Sequence, residues 1–289
     1  MEKISIITPV YKGNKYLTNL LTIIEKATYK LKNFCFEWIL INDSPQVPLK
    51  KLTSNNKNLI IKKLDNPYNL GIQKSRIKGV QKSKGKYIVF LDQDDLIDSN
   101  FFKAHLANIK ETDVSISNGY VEQKNGKLKK IFNTKRQLNC VKNLKIFFYV
   151  GGIIVSPGMA LIKKSSIPQS WLNNPLSING ADDWLLWVLM LTEGNSFSTI
   201  FRPLYIHKKN DTGNASDNKE RMWLSTSEAL EKYSNITQNK NSHLVKVFKR
   251  RIRLIESFQL EKKNKLLLYS LNPDILFFVI DYKIIRRFS

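Results

Sequence analysis

The stretch YIVFLDQDDLID, residues 87–98, ends an apolar run in three carboxylates within four positions: Asp92, Asp94 and Asp95. Side chains alternate along an extended segment, so Asp92 and Asp94 share a side. Two carboxylates held together repel each other, and a cation between them relieves the repulsion. Oxygen ligands suit Mg²⁺ or Mn²⁺, which one or two carboxylates commonly bridge to substrate phosphates. The competing reading is a solvated acidic turn in which Asp95 or Asp98 caps a helix at Phe101. Two more acids weigh against it, because Asp43 and Asp65 also end β-rich segments, FEWILIND (36–43) and LIIKKLD (59–65). A second acidic pair, Asp182 and Asp183, opens the helix-like GADDWLLWVLMLTEG (180–194). An acid at a helix N-terminus is held ionised by the helix dipole, which suits a base that takes a proton from a hydroxyl. Plain N-capping is the alternative. Trp184 and Trp187 offer faces for a sugar, although helical spacing puts Trp187 in a core.

The elements that must position these groups follow from periodicity. ISIITPV (4–10) is almost wholly apolar, as in a strand buried on both faces. Asn14 is placed to cap a helix whose apolar positions Leu17, Leu20, Leu21 and Ile24 recur at helical spacing. NPYNLG is a turn with Asn69 and Gly71 as turn residues, followed by a helix over 72–83 that Gly85 ends. The order is β-α-β-loop-β-α-β, which implies an α/β protein with a mostly parallel, doubly wound sheet. In such sheets ligands bind beyond the carboxyl ends of the strands, and Asp43, Asp65 and Asp92 fall on that rim. Further on, 100–110 is expected to be a helix, 113–120 a strand and NGKLKK a hairpin or loop. Residues 150–167, rich in Gly and small residues, become strand-like. TIFRPLYIH is a strand followed by a polar loop. Long basic helices dominate from Met222, with a soft boundary near residue 215.

The 289 residues carry 47 Lys and Arg against 24 Asp and Glu, a formal charge of +23. That imbalance favours an anionic partner: nucleic acid, an anionic membrane face or a phosphorylated substrate. No nucleic-acid-binding motif is present, so nucleic acid is not expected. Two cysteines, Cys35 and Cys140, make neither a disulfide framework nor a metal pair, and are expected as reduced thiols in or near the core. The first residues lack the apolar core of a signal peptide, and ILFFVI (275–280) is far shorter than the ~20 apolar residues of a spanning helix. The expected location is cytoplasmic, with the basic C-terminal helices either a solvated face or a patch against the inner face of the cell membrane.

Five segments in order, ISIITPVYKGNKYL, ILIND, NLGIQKSRIKG, YIVFLDQDD and GADDWLLW, resemble a family 2 glycosyltransferase of the GT-A fold. The resemblance spans about residues 3–210. It implies a catalytic domain over 1–215, with a nucleotide-binding half to residue 100 and an acceptor half beyond, then a helical region over 216–289. It implies that Thr8, Pro9, Val10 and Tyr11 cradle the nucleotide base, that Asp43 bonds base or ribose, and that Asn69, Gly71 and Arg76 lie against the nucleotide. Asp92 then faces the ribose or donor sugar beside Gln93, which is larger than the family's usual small residue. Asp94 binds Mn²⁺ or Mg²⁺ with Asp95 in support, and His207 contacts metal or diphosphate. Lys208 and Lys209 neutralise the diphosphate, and the loop after them closes over the donor. Asp183 is the general base with Asp182 second, Asp182 replacing the family's commoner Glu. Gly151, Gly152, Pro157 and Gly158 shape the acceptor wall or are ordinary turns. The implied reaction is inverting transfer from a UDP- or dTDP-linked sugar to a glycan or lipid-linked glycan of a bacterial surface polysaccharide. Two alternatives are a sugar nucleotidyltransferase, whose Gly-rich basic loop TPVYKGN lacks, and a noncatalytic polyanion-binding module.

Overall fold

The computed structural model describes residues 1–208, 218–259 and 269–285. The apolar runs form β1 (Glu2–Val10), β2 (Phe34–Asn42), β3 (Leu59–Asp65) and β4 (Tyr87–Phe90). β2 pairs with β1 and β3, and β1 pairs with β4, all in parallel. The two intervening helices, α1 (Asn14–Thr28) and α2 (Ile72–Lys82), complete the expected βα units. Leu17, Leu20, Leu21 and Ile24 are buried along α1, as their spacing requires.

The second half of the sheet is less regular. The two-residue β5 (Leu96–Ile97) and α3 (Phe101–Asn108) precede β6 (Val114–Glu122), which turns back through Gly126 at φ +75° into β7 (Leu128–Lys130). Two short helices, α4 (Lys135–Asn139) and α5 (Leu144–Tyr149), lead to β8 (Ala160–Lys163). Then come α6 (Gln169–Asn173), α7 (Asp182–Thr192) and β9 (Phe197–His207). The strand order is β3-β2-β1-β4-β8-β6-β9-β5, with β7 beside β6. β8 lies antiparallel between β4 and β6, while β6 and β9 run parallel. The sheet is therefore parallel through the first half and mixed in the second.

Among the described residues the C-terminal part holds α8 (Lys219–Ile236), α9 (Ser242–Gln259) and α10 (Pro273–Ile285). Leu230, Tyr233, Leu244 and Phe248 join the same buried core as β1 and β2. The exposed Lys246, Lys249, Arg250 and Arg253 of α9 thus lie on the outer side of a helix whose apolar stripe packs on the sheet half.

One local expectation fails. Asn14 does not cap α1, whose N-cap is Gly13 and has no side-chain bond. The Asn14 amide reaches across to the loop after β2, donating to the Pro48 carbonyl and accepting from the Lys50 N–H, both at 2.9 Å. A side chain that ties two loops together satisfies more backbone groups than a local cap would.

Candidate active site

The strands' carboxyl ends gather the acids on one rim, but much of that rim is structural. Asp43 lies just past β2 and is 4% exposed. It accepts the N–H groups of Leu70 (2.7 Å) and Gly71 (2.9 Å) and the Asn66 amide (2.7 Å). Its carboxylate therefore fastens the NLG turn that launches α2. Gly71 takes φ +88°, and a Cβ there would meet Asn179; a side chain is excluded on both grounds. The exposed Asn69 accepts from Gly71 N–H at 3.1 Å. Asp65 accepts from Asn42 at 2.8 Å, a sheet contact.

At the end of β1, Thr8 is buried and its hydroxyl accepts from Trp38 Nε1 at 2.9 Å. Val10 is buried too. Pro9 is half-buried and Tyr11 is 48% exposed. Gln93 grips the Tyr11 backbone, accepting its N–H at 3.1 Å and donating to its carbonyl at 3.3 Å. The large middle residue of DQD thus locks the acidic turn to the end of β1.

Arg76 does not lie open to a ligand. Its guanidinium is buried, with Nη2 2.7 Å from Asp92 and Nη1 2.8 Å from Asp182. One planar fork joins the acidic turn after β4 to the start of α7. Burial alone would weaken its proton affinity, but Asp92 and Asp182 outweigh that and raise it.

Asp95 is also redirected. It is 1% exposed, accepts the Tyr205 hydroxyl and the Lys208 N–H, and pairs with His207 Nδ1 at 3.1 Å. With both oxygens engaged it orients His207, which corrects its assignment as a metal ligand. Burial by itself would lower the His207 pKa, but the bond and attraction to Asp95 raise it to about 8. Tyr205 was absent from the expected set. Its signal was present: Tyr205 and His207 stand two apart on β9 and so share a face. Lys208 pairs with Glu122 at 2.7 Å. Lys209 and the loop expected to close over the donor, 209–217, lie outside the described residues.

The second pair divides its work. Asp182 is buried against Arg76, and its carbonyl accepts Trp171 Nε1 at 2.9 Å. Asp183 lines an open cavity of about 1440 Å³ with Gly152, Trp184, His207, Trp223 and Arg251. Burial, then the neighbouring Asp182, push the Asp183 pKa up to about 7, against the pull of Arg76. This reverses the expectation from the helix dipole: two desolvated carboxylates outweigh it. Trp184 stacks on Phe248 at 4.7 Å and is 5% exposed, so its face is taken. Trp187 is core, 1% exposed. Gly152 does line the cavity wall, whereas Pro157 and Gly158 are buried in a short turn before β8.

The C-terminal helices hold the loop that presents Asp183. Ser225 of α8 accepts the Ala181 N–H at 2.9 Å and donates to the Ile178 carbonyl at 2.7 Å. Glu228 accepts the N–H groups of Ser177 (2.7 Å) and Ile178 (3.0 Å). Glu228→Ala removes the acceptor of two partly exposed N–H groups and is expected to cost about 1 kcal/mol. Thermal melts should show the loss, and kcat should fall with donor affinity kept.

The Glycosyl transferase family 2 model matches residues 5–171. The chain is 26% identical over 208 residues to the uncharacterized glycosyltransferase MJ1057 of Methanocaldococcus jannaschii, covering 68% of this chain and 67% of that one. It is 28% identical over 191 residues to glycosyltransferase GlyG of Streptococcus pneumoniae, covering 60% of each. Among solved structures, Staphylococcus aureus TarS residues 1–349 with UDP-GlcNAc superposes with a TM-score of 0.61 at 18% identity, over 98% of this chain and 81% of that one. That likeness identifies the mixed sheet and its helices as the GT-A fold. With the family model matched over more than half its length, the chain belongs to glycosyl transferase family 2 and is a glycosyltransferase.

Proposed function

We propose that the protein is an inverting, metal-dependent glycosyltransferase. It moves a sugar from a UDP- or dTDP-linked donor to a hydroxyl of a glycan or lipid-linked glycan in bacterial cell-surface polysaccharide synthesis. The observation that carries this reading is the asymmetry of the ADDW acids. Asp182 is spent on Arg76, while Asp183 opens to the cavity with a pKa of about 7. A carboxylate poised near the working pH is suited to take a proton from an attacking hydroxyl. The hydroxyl then displaces the nucleoside diphosphate from the far side and inverts the anomeric carbon. UDP-GlcNAc bound to the TarS structure, and the name of TarS as a poly(ribitol-phosphate) β-N-acetylglucosaminyltransferase, support a nucleotide-sugar donor and a surface-polymer acceptor.

Among the described residues no group of three or more His, Cys, Asp or Glu gathers to hold a metal. Arg76 engages Asp92, and Asp95 is committed to Tyr205 and His207. Asp94, half-buried on this turn as Asp92 is, is the carboxylate that the family resemblance gives to the metal. One carboxylate with a donor diphosphate is the usual seat of Mg²⁺ or Mn²⁺, so these residues suit such an ion. When bound, it would offset charge on the departing diphosphate. His207, held at Nδ1 by Asp95, lines the same cavity as Asp183 and is the residue proposed to contact metal or diphosphate. Chelation with EDTA is expected to abolish transfer, and Mn²⁺ or Mg²⁺ to restore it; transfer unchanged by EDTA would overturn the metal role.

The proposed location is the cytoplasmic side of the cell membrane. Leu271 and Phe277, 69% and 66% exposed, support contact with its surface beside the basic residues of α9. No helix among the described residues is long and apolar enough to cross a membrane.

A further inference from the structure

The cavity that Asp183 opens onto holds a cation the transfer chemistry does not use. Arg251, on α9, lines this cavity and also a smaller one of about 250 Å³ between α9 and α10. Its guanidinium lies over the Phe248 ring at 5.4 Å, and Phe248 stacks on Trp184, the neighbour of Asp183. On the other side it rests against Gly151, whose φ is +109° and whose missing Cβ would stand 2.5 Å from Nη2. The glycine leaves the space the guanidinium fills. Among the described residues Arg251 makes no hydrogen bond or ion pair, and its guanidinium packs on the Phe248 ring. Burial lowers its pKa to about 10, so it stays charged at neutral pH. Of the acids that line the same cavity, Glu122 is bound to Lys208.

An arginine fork held against a glycine and a phenyl face, without an acceptor, matches the bidentate geometry of a phosphate. We propose that Arg251 is the anion subsite of this cavity and receives a phosphate group carried by the acceptor. The subsite rests on the glycosyl-transfer reading for its acceptor but not for its affinity for phosphate. The phosphate could belong to a phosphodiester polymer or to the diphosphate of a lipid-linked glycan; the chemistry at Arg251 is the same.

Arg251→Met keeps the bulk of the side chain and removes the charge. Inorganic phosphate should raise the melting temperature of the wild type more than that of Arg251→Met, with Arg251→Lys between them. With acceptor in hand, KM for a phosphate-bearing acceptor should rise about 10–100-fold in Arg251→Met, the loss of a charged hydrogen-bonded contact. A soluble phosphodiester oligomer and a polyprenyl-diphosphate glycan in detergent identify which source is preferred. Equal phosphate stabilisation of wild type and Arg251→Met would overturn the proposal, as would an unchanged KM for both acceptors. Calorimetry with nucleotide sugars reports separately on the glycosyl-transfer reading: a wild type that binds none of them defeats that reading, and the phosphate titration still decides the subsite.

Discussion

Asp183→Asn is expected to lower kcat by about 10²–10⁴-fold, the usual contribution of a positioned general base, while donor affinity stays near that of the wild type. Asparagine keeps the size of the side chain and the start of α7 but cannot take a proton. The pH dependence follows from the raised pKa of about 7. The base works only when ionised, so wild-type turnover should fall as pH drops below about 7. Stability moves the other way. The folded state holds the Asp183 proton more tightly than the unfolded chain does, so this group favours folding at low pH. That contribution is lost as pH rises through about 7. Asp183→Asn should therefore raise the melting temperature more at pH 8 than at pH 5. An active variant, or one whose melting temperature falls at pH 8, would contradict the assignment.

The second large effect belongs to Arg76. Arg76→Met leaves Asp92 and Asp182 facing each other's region without the cation that joins them. Breaking a buried pair by removing one partner costs about 3–5 kcal/mol, and here two carboxylates lose the same partner. Asp183 would also lose the guanidinium that restrains its pKa. A further upward shift would move the acidic limb of the rate profile to higher pH. Arg76→Lys keeps a charge, but a single ammonium head does not span both carboxylates as the guanidinium does, and it is expected to recover only part of the stability. Urea unfolding measures the cost, and a loss under about 1 kcal/mol would show that the bridge is not the buried clasp described here.

How far the sequence reveals this protein depends on the range of the interaction. β1, β2 and β4 are legible because strands covered on both faces must be apolar throughout, and the helices between them show a clear apolar stripe. β5 and β8, with two and four residues, carry too little pattern, and β8 enters the sheet antiparallel by contacts with β4 and β6 that no local signal encodes. The acids of the site were visible as types and positions, but their roles were not. Asp43 and Asp95 look like Asp94 until the structure gives them Gly71, Tyr205 and His207. Arg76 meets Asp182 across 106 residues of chain, and α8 braces the Asp183 loop from some 45 residues beyond. Such contacts arise only once the sheet and helices have closed, which is why Asn14 was assigned to its own helix and instead holds a distant loop.

The central claim is that this rim and cavity bind a nucleotide sugar and transfer its sugar through Asp183. Calorimetric titration with a panel of UDP- and dTDP-sugars in Mn²⁺, run on the wild type and on Asp183→Asn, tests it most directly. The account predicts that one of these donors binds both proteins with similar affinity, and that only the wild type goes on to release the nucleoside diphosphate when acceptor is added. Binding of no nucleotide sugar by the wild type, or equal release by Asp183→Asn, would contradict it.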